Sequence, residues 1–160
     1  TFTCELGTES LKLFDPVPLM THFINQVQGL KPYTNTLNTI LAELYSNALE
    51  HGLLGLDSSL KNSAQGFARY YALRHERLLA LTEGSIKFEM THEPSEQGGR
   101  LILQVTDSGE GFVIPTAQKQ LGAISNYHGR GIRLIETLCQ RLEFLPPGNS
   151  VIVEFDWKWL

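Results

Sequence analysis

The stretch Leu101-Ile102-Leu103-Gln104-Val105-Thr106-Asp107-Ser108-Gly109-Glu110-Gly111 changes character at Asp107. Before it, Leu101, Leu103 and Val105 recur every second residue, the period of a strand with one buried face. After it the chain turns to glycine and short polar residues. Upstream, Ile86, Phe88 and Met90 alternate in the same way, and Glu93-Pro94-Ser95-Glu96-Gln97-Gly98-Gly99 between the two runs reads as a hairpin turn. Downstream, Phe144-Leu145 predicts a brief strand and Pro146-Pro147-Gly148 a turn. Val151, Val153, Phe155 and Trp157 then alternate in a last strand.

Helical periodicity dominates the first half. Phe2, Cys4 and Leu6 open the chain as a short strand. Val17, Met20, Phe23, Ile24 and Val27 then follow Asp15-Pro16 at helical spacing, and Gly29 closes that segment. Lys31-Pro32 breaks the chain. A second helix is predicted over 34–51, with Leu37, Ile40, Leu41, Leu44 and Ala48 as its apolar stripe and Gly52 as its end. A third helical stretch covers about 57–84, where the aromatic pair Tyr70-Tyr71 reads as packing. A short helix near 117–121 and an amphipathic helix marked by Ile132, Ile135, Leu138, Cys139 and Leu142 complete the set. Helices first and antiparallel strands later predict an α/β (more strictly α+β) two-layer sandwich. Its sheet would be mixed, mainly antiparallel and covered by helices on one face. The whole chain, 1–160, reads as one domain.

Composition narrows the function. The 160 residues are 42% hydrophobic and 19% charged, the proportions of a soluble globular protein. No run approaches the ~20 apolar residues of a membrane helix. Thirteen basic against 17 acidic residues give a net charge of −4, which argues against a nucleic-acid partner. Cys4 and Cys139 are too few and too far apart for a disulfide framework or a zinc site, and predict reduced packing residues in a cytoplasmic protein. The chain opens at Thr1 rather than Met, so it is expected to be part of a longer multidomain chain.

Three polar segments carry chemistry. In Glu43-Leu44-Tyr45-Ser46-Asn47-Ala48-Leu49-Glu50-His51, the residues Glu43, Asn47 and His51 are four apart and stack on one helical face beside the apolar stripe. An amide oxygen there suits Mg²⁺, and a carboxylate can take a proton from an attacking hydroxyl. A solvated helix face has the same composition, and His51 reads as a C-terminal cap more than as a ligand. Asp107, at the end of a strand, can accept a hydrogen bond from an exocyclic amine, with Gly109 and Gly111 allowing close approach of the backbone. An ordinary Asp-Ser-Gly turn looks alike. Finally, His128-Gly129-Arg130-Gly131 leads into the helix near Ile132. Free N–H groups at a helix start, with Arg130 and Arg133 one turn along, suit an anion. No Gly-Lys-Ser/Thr follows, so this is not a P-loop.

In this order the segments resemble the N, G1 and G2 boxes of the GHKL superfamily of ATP-binding domains, and Gly148-Asn149-Ser150-Val151-Ile152-Val153 resembles its last box. The short lid after Phe112 is most similar to that of the bacterial anti-sigma-factor serine kinases. The extra helical segment at about 57–84 resembles the kinase-like domains fused to receiver and phosphatase response regulators. The resemblance implies ATP and Mg²⁺ as cofactors, with Asn47 as metal ligand and Glu43 as general base. Asp107 would hold the adenine amine, with Ser150 supporting it through water. Gly109, Gly111, Gly129 and Gly131 would shape pocket and lid, and Arg130 would meet the phosphates. It further implies phosphorylation or binding of a STAS-type antagonist, sigma factor or anti-sigma factor in partner switching, and is compatible with a homodimer. Two other functions remain open: an ATP-modulated module that sequesters its partner, and the catalytic domain of a histidine kinase. His22 lacks the context of a phosphoacceptor.

Overall fold

A computed structural model of the chain describes residues 1–111 and 130–160. The predicted helix near 117–121 lies outside the described residues. Strands β1 (Phe2–Gly7), β2 (Ser85–Ser95), β3 (Gly98–Asp107), β4 (Arg141–Leu145) and β5 (Ser150–Lys158) form one sheet in the order β1-β2-β3-β5-β4. All four pairings are antiparallel, the limiting case of the mainly antiparallel sheet expected. The register aligns the apolar positions. Phe88 stands between Cys4 and Val105, Leu103 pairs with Val153, and Val151 pairs with both Val105 and Phe144. Side chains alternate across a pleated strand, so these pairings gather the buried apolar residues on one face. The other face carries Lys87, Glu89, Gln104 and Glu154 and is half-exposed.

Five α-helices are described: α1 (Thr8–Leu13), α2 (Val17–Asn25), α3 (Thr34–Ser46), α4 (Ala64–Ala80) and α5 (Arg130–Leu138). Helix α3 is the centre of the helical layer. Its stripe Leu37, Ile40, Leu41 and Leu44 is at most 1% exposed, and it packs against both α2 and α5. Met20 and Ile24 of α2 and Ile132 and Ile135 of α5 complete the contact with the sheet's apolar face. At roughly 25 cal/mol per Å² of apolar surface, this single core supplies the main folding drive. No helix among the described residues is long and apolar enough to cross a membrane.

Four boundaries differ from those read in the sequence. The 34–51 helix is α-helical only to Ser46 and continues as a π-helix, Asn47–Leu53, so Gly52 lies inside the element and does not end it. The 57–84 segment is two pieces, a 3₁₀ turn at Ser58–Asn62 and α4. Ser63 separates them, and its hydroxyl caps α4 by accepting from Gly66 N–H. The hairpin is tighter than its polar composition suggests, with Ser95 paired to Gly98 across two residues. Pro94 is tolerated because β1 reaches only as far as Met90, which leaves that side of β2 without a ladder to disrupt. Leu142 belongs to β4, not to the last helix. Its burial comes from pairing with Val153, which mimics the next helical repeat.

Replacing Leu103 by Ala removes a fully buried side chain from the middle of the sheet. It is expected to cost about 2–5 kcal/mol in urea denaturation. Ile102→Ala, on the half-exposed face one residue away, is expected to cost clearly less.

Candidate nucleotide site

The π-helix positions the site. Leu54 N–H reaches back five residues to the Leu49 carbonyl at 2.9 Å, so this turn is wider than the α-helical turns before it. The widened turn brings Gly52 flat against the end of β3. A β-carbon at Gly52 would lie 2.8 Å from Asp107 Oδ1 and still closer to Oδ2. Any larger residue there would push the carboxylate away. Close approach to Asp107, not helix termination, is therefore what requires this glycine.

Asp107 is 7% exposed, and Gly109 N–H donates to its Oδ1 at 2.8 Å. Burial raises its pKa to about 6, with the Gly109 hydrogen bond pulling the other way. The carboxylate lines a cavity of about 370 Å³ together with Asn47, His51, Gly52, Gly109 and Gly111. Gly111, at φ +78°, turns the chain where the left-handed region favours glycine.

A second cavity, about 420 Å³, adjoins the first along Asn47 and His51. It is lined by Glu43, Ser46, Lys61, Asn62, Arg130 and Gly131 among others. The tertiary structure thus brings together Glu43, Asn47, Arg130 and Gly131, which lie up to 88 residues apart in the chain. The start of α5 rests directly on Glu43, because a β-carbon at Gly131 would overlap Glu43 Oε2. Burial raises the Glu43 pKa; Lys61 opposes this and Glu50 adds to it. Asn47 lies between the two cavities. Its Oδ1 is buried with no hydrogen-bond partner among the described residues. An orphaned buried oxygen costs about 1–3 kcal/mol, which a ligand can recover.

Ser150 is placed differently. It pairs with Thr106, one residue before Asp107, and its hydroxyl meets Thr106 Oγ1 at 2.8 Å and Gln104 Nε2 at 3.0 Å. The pleat sends that hydroxyl to the face opposite Asp107. Asn149 instead joins Asp107, through Asp107 N–H to the Asn149 carbonyl at 2.9 Å and Asn149 Nδ2 to the Asp107 carbonyl at 2.7 Å. Gly129 lies outside the described residues.

Two further groups have partners that the sequence did not show. His51 does not cap its own helix: its Nδ1 is 2.7 Å from the Leu56 carbonyl, tying down the following loop, and burial lowers its pKa. Glu50, 6% exposed, accepts from Tyr70 hydroxyl at 2.5 Å, Ser46 hydroxyl at 2.8 Å and Arg74 Nε at 3.4 Å. It anchors α4 to the back of the site. Ser46 is one helical turn away, but Tyr70 and Arg74 lie 20 and 24 residues on, and no local pattern announces them.

No protein-family model matches the chain, and no curated protein sequence matches it either.

The folded pKa of Asp107 lies above the ordinary value of 3.8, so the folded state binds this proton more tightly than the unfolded state. Stability therefore falls as pH rises between about 4 and 6, and the penalty is complete above that window. Asp107→Asn is expected to flatten this part of the stability–pH curve, by on the order of 2 kcal/mol in denaturant titrations at pH 4 and pH 7.

Proposed function

We propose that this chain is a GHKL-type ATP-binding domain acting as a protein-serine kinase on a STAS-type antagonist, as in bacterial partner switching. The observation that carries the reading is Asn47 Oδ1, buried and unpartnered between the cavity of Asp107 and that of Glu43 and Arg130. A nucleotide laid across the two cavities has a carboxylate for its base at one end, a hard oxygen for a metal in the middle, and a guanidinium for its phosphates at the other. The residues present fit Mg²⁺ bound jointly with phosphate. Among the described residues no group of three or more His, Cys, Asp or Glu could hold a metal alone, and Mg²⁺ is commonly held by one or two protein oxygens plus substrate phosphates.

On this reading bound Mg-ATP supplies the phosphoryl group and neutralises part of its charge. Asp107 accepts a hydrogen bond from the adenine amine. Glu43, its proton affinity raised by burial, takes the proton of the serine hydroxyl as the serine oxygen bonds to the terminal phosphorus and the bond to the ADP oxygen breaks. Arg130 and the first turn of α5 stabilise the charge on the transferring group. The antagonist rests on the sequence resemblance alone, and the cytoplasmic setting on the reading of Cys4 and Cys139 as reduced packing residues.

Calorimetric titration with ATP is expected to show Mg²⁺-dependent binding that Asn47→Ala weakens by at least about tenfold. Glu43→Gln is expected to keep that affinity and lose roughly 10²–10⁴ in phosphate transfer to an antagonist serine. Transfer at the normal rate would remove Glu43 from its role. Tight binding by the wild type with no transfer would mean an ATP-modulated sequestering module.

ATP affinity is also expected to fall as pH drops through about 6, because the adenine amine needs the ionised Asp107 as acceptor. Titrations at pH 5 and pH 8 check this, and an unchanged affinity would remove Asp107 from base recognition.

A further inference from the structure

Between the π-helix and α4, the chain places Lys61 on the wall of the Glu43 and Arg130 cavity, beside Asn62 and Ser58. Among the described residues lining that cavity, Lys61 and Arg130 carry positive charge, and they come from segments far apart in the chain. We propose that Lys61 is a phosphate-binding residue of this site, meeting the terminal phosphate of bound ATP. The proposal rests on the nucleotide reading above and adds to it a residue from the helical insert.

The present partners of Lys61 leave it free to turn. Its Nζ is 3.8 Å from Glu50 Oε1, the outer limit of an ion pair, and 4.4 Å from the centre of the Tyr70 ring. Glu50 does not depend on it: Tyr70, Ser46 and Arg74 already donate to that carboxylate. Lysine is a compact charge on a flexible stem, one-third exposed here, so reorienting toward an anion leaves no buried acceptor behind. The charge balance also calls for it. Glu43 lines the same cavity and Glu50 lies just behind it, so a polyphosphate entering there meets two carboxylates. Arg74 already pairs with Glu50, so among the described residues lining the cavity Lys61 is the cation that joins Arg130 in facing Glu43 and the phosphates.

Direction assigns the phosphate. Asp107 lines only the first cavity of the two and Lys61 only the second, with Asn47 and His51 shared between them. With the base at Asp107, the group that arrives at Lys61 is the far end of the chain of phosphates. Lys61 therefore distinguishes a triphosphate from a diphosphate.

Lys61→Met and Lys61→Gln should be titrated with Mg-ATP and with Mg-ADP by calorimetry, beside Lys61→Arg and the wild type. Circular dichroism melting accompanies each. ATP affinity is expected to fall roughly tenfold or more in both neutral variants, while ADP affinity changes less than about threefold and Lys61→Arg retains most ATP binding. Unchanged ATP affinity, or equal losses for ATP and ADP, would overturn the assignment of Lys61 while leaving the nucleotide site standing. A folded wild type that binds neither nucleotide would overturn the site itself and Lys61 with it. Since Glu50 keeps three donors, both neutral variants are expected to melt as the wild type does.

Discussion

The contact between Gly52 and the Asp107 carboxylate ties the helical layer to the end of the sheet, and the site is arranged around it. An α-helix continued past Ser46 would present a narrower turn to β3. The π-helical turn, with Gly52 at its point of contact, lets backbone approach carboxylate where no β-carbon fits. Asn47 begins that turn and so comes to lie between Asp107 on one side and Glu43 on the other. The two cavities meet along Asn47 and His51, both carried by this single widened turn. Wide turns of this kind forgo α-helical hydrogen bonds and are found mostly where function needs a side chain re-aimed.

This arrangement is expensive for a domain whose net stability is expected to be about 5–15 kcal/mol. Asp107 is buried with a backbone donor from Gly109, and Asn47 Oδ1 is buried with no donor among the described residues. Both features weaken the empty protein. Both are what a ligand with an amine at one end and a metal-bound phosphate at the other would relieve. The apolar stripe of α3 against Phe88, Leu103 and Val153 supplies the surplus that makes the cost tolerable.

Glu50 has a different part. It is as buried as Asp107 but fully engaged, by Tyr70, Ser46 and Arg74. Arg77 adds two hydrogen bonds to the Leu54 and Gly55 carbonyls. The helical segment between the π-helix and β2 is thereby fastened by polar contacts as well as by the packing of Tyr70, Leu73 and Leu78 on the core, while Phe67, Tyr71 and Leu79 stay exposed. A polar anchor is directional. It sets where α4 sits against the site, and with it the position of Lys61 and Asn62 on the cavity wall.

Local pattern was enough for much of this. Alternation in Leu101–Val105 and Val151–Trp157 announced the strands, and the stripe of α3 announced its buried face, because each depends on neighbours two to four residues away. Glu43, Asn47, Asp107, Arg130 and Gly131 could be picked out for the same reason: each sits in a short run whose spacing implies a face or a turn. Three things needed the assembled chain. The Ser150 hydroxyl faces away from Asp107 because strand register, not proximity in sequence, decides which side of a sheet a residue occupies. Leu142 joins a strand because Val153 pairs with it, although its spacing from Leu138 suits a helix equally well. Glu50, Tyr70 and Lys61 meet because a buried carboxylate must find donors wherever folding brings them. Sequence by itself determined the elements and the chemical types available to the site. Tertiary packing decided which of those groups face one another, since that depends on register and on desolvation, and neither is a property of any short stretch of chain.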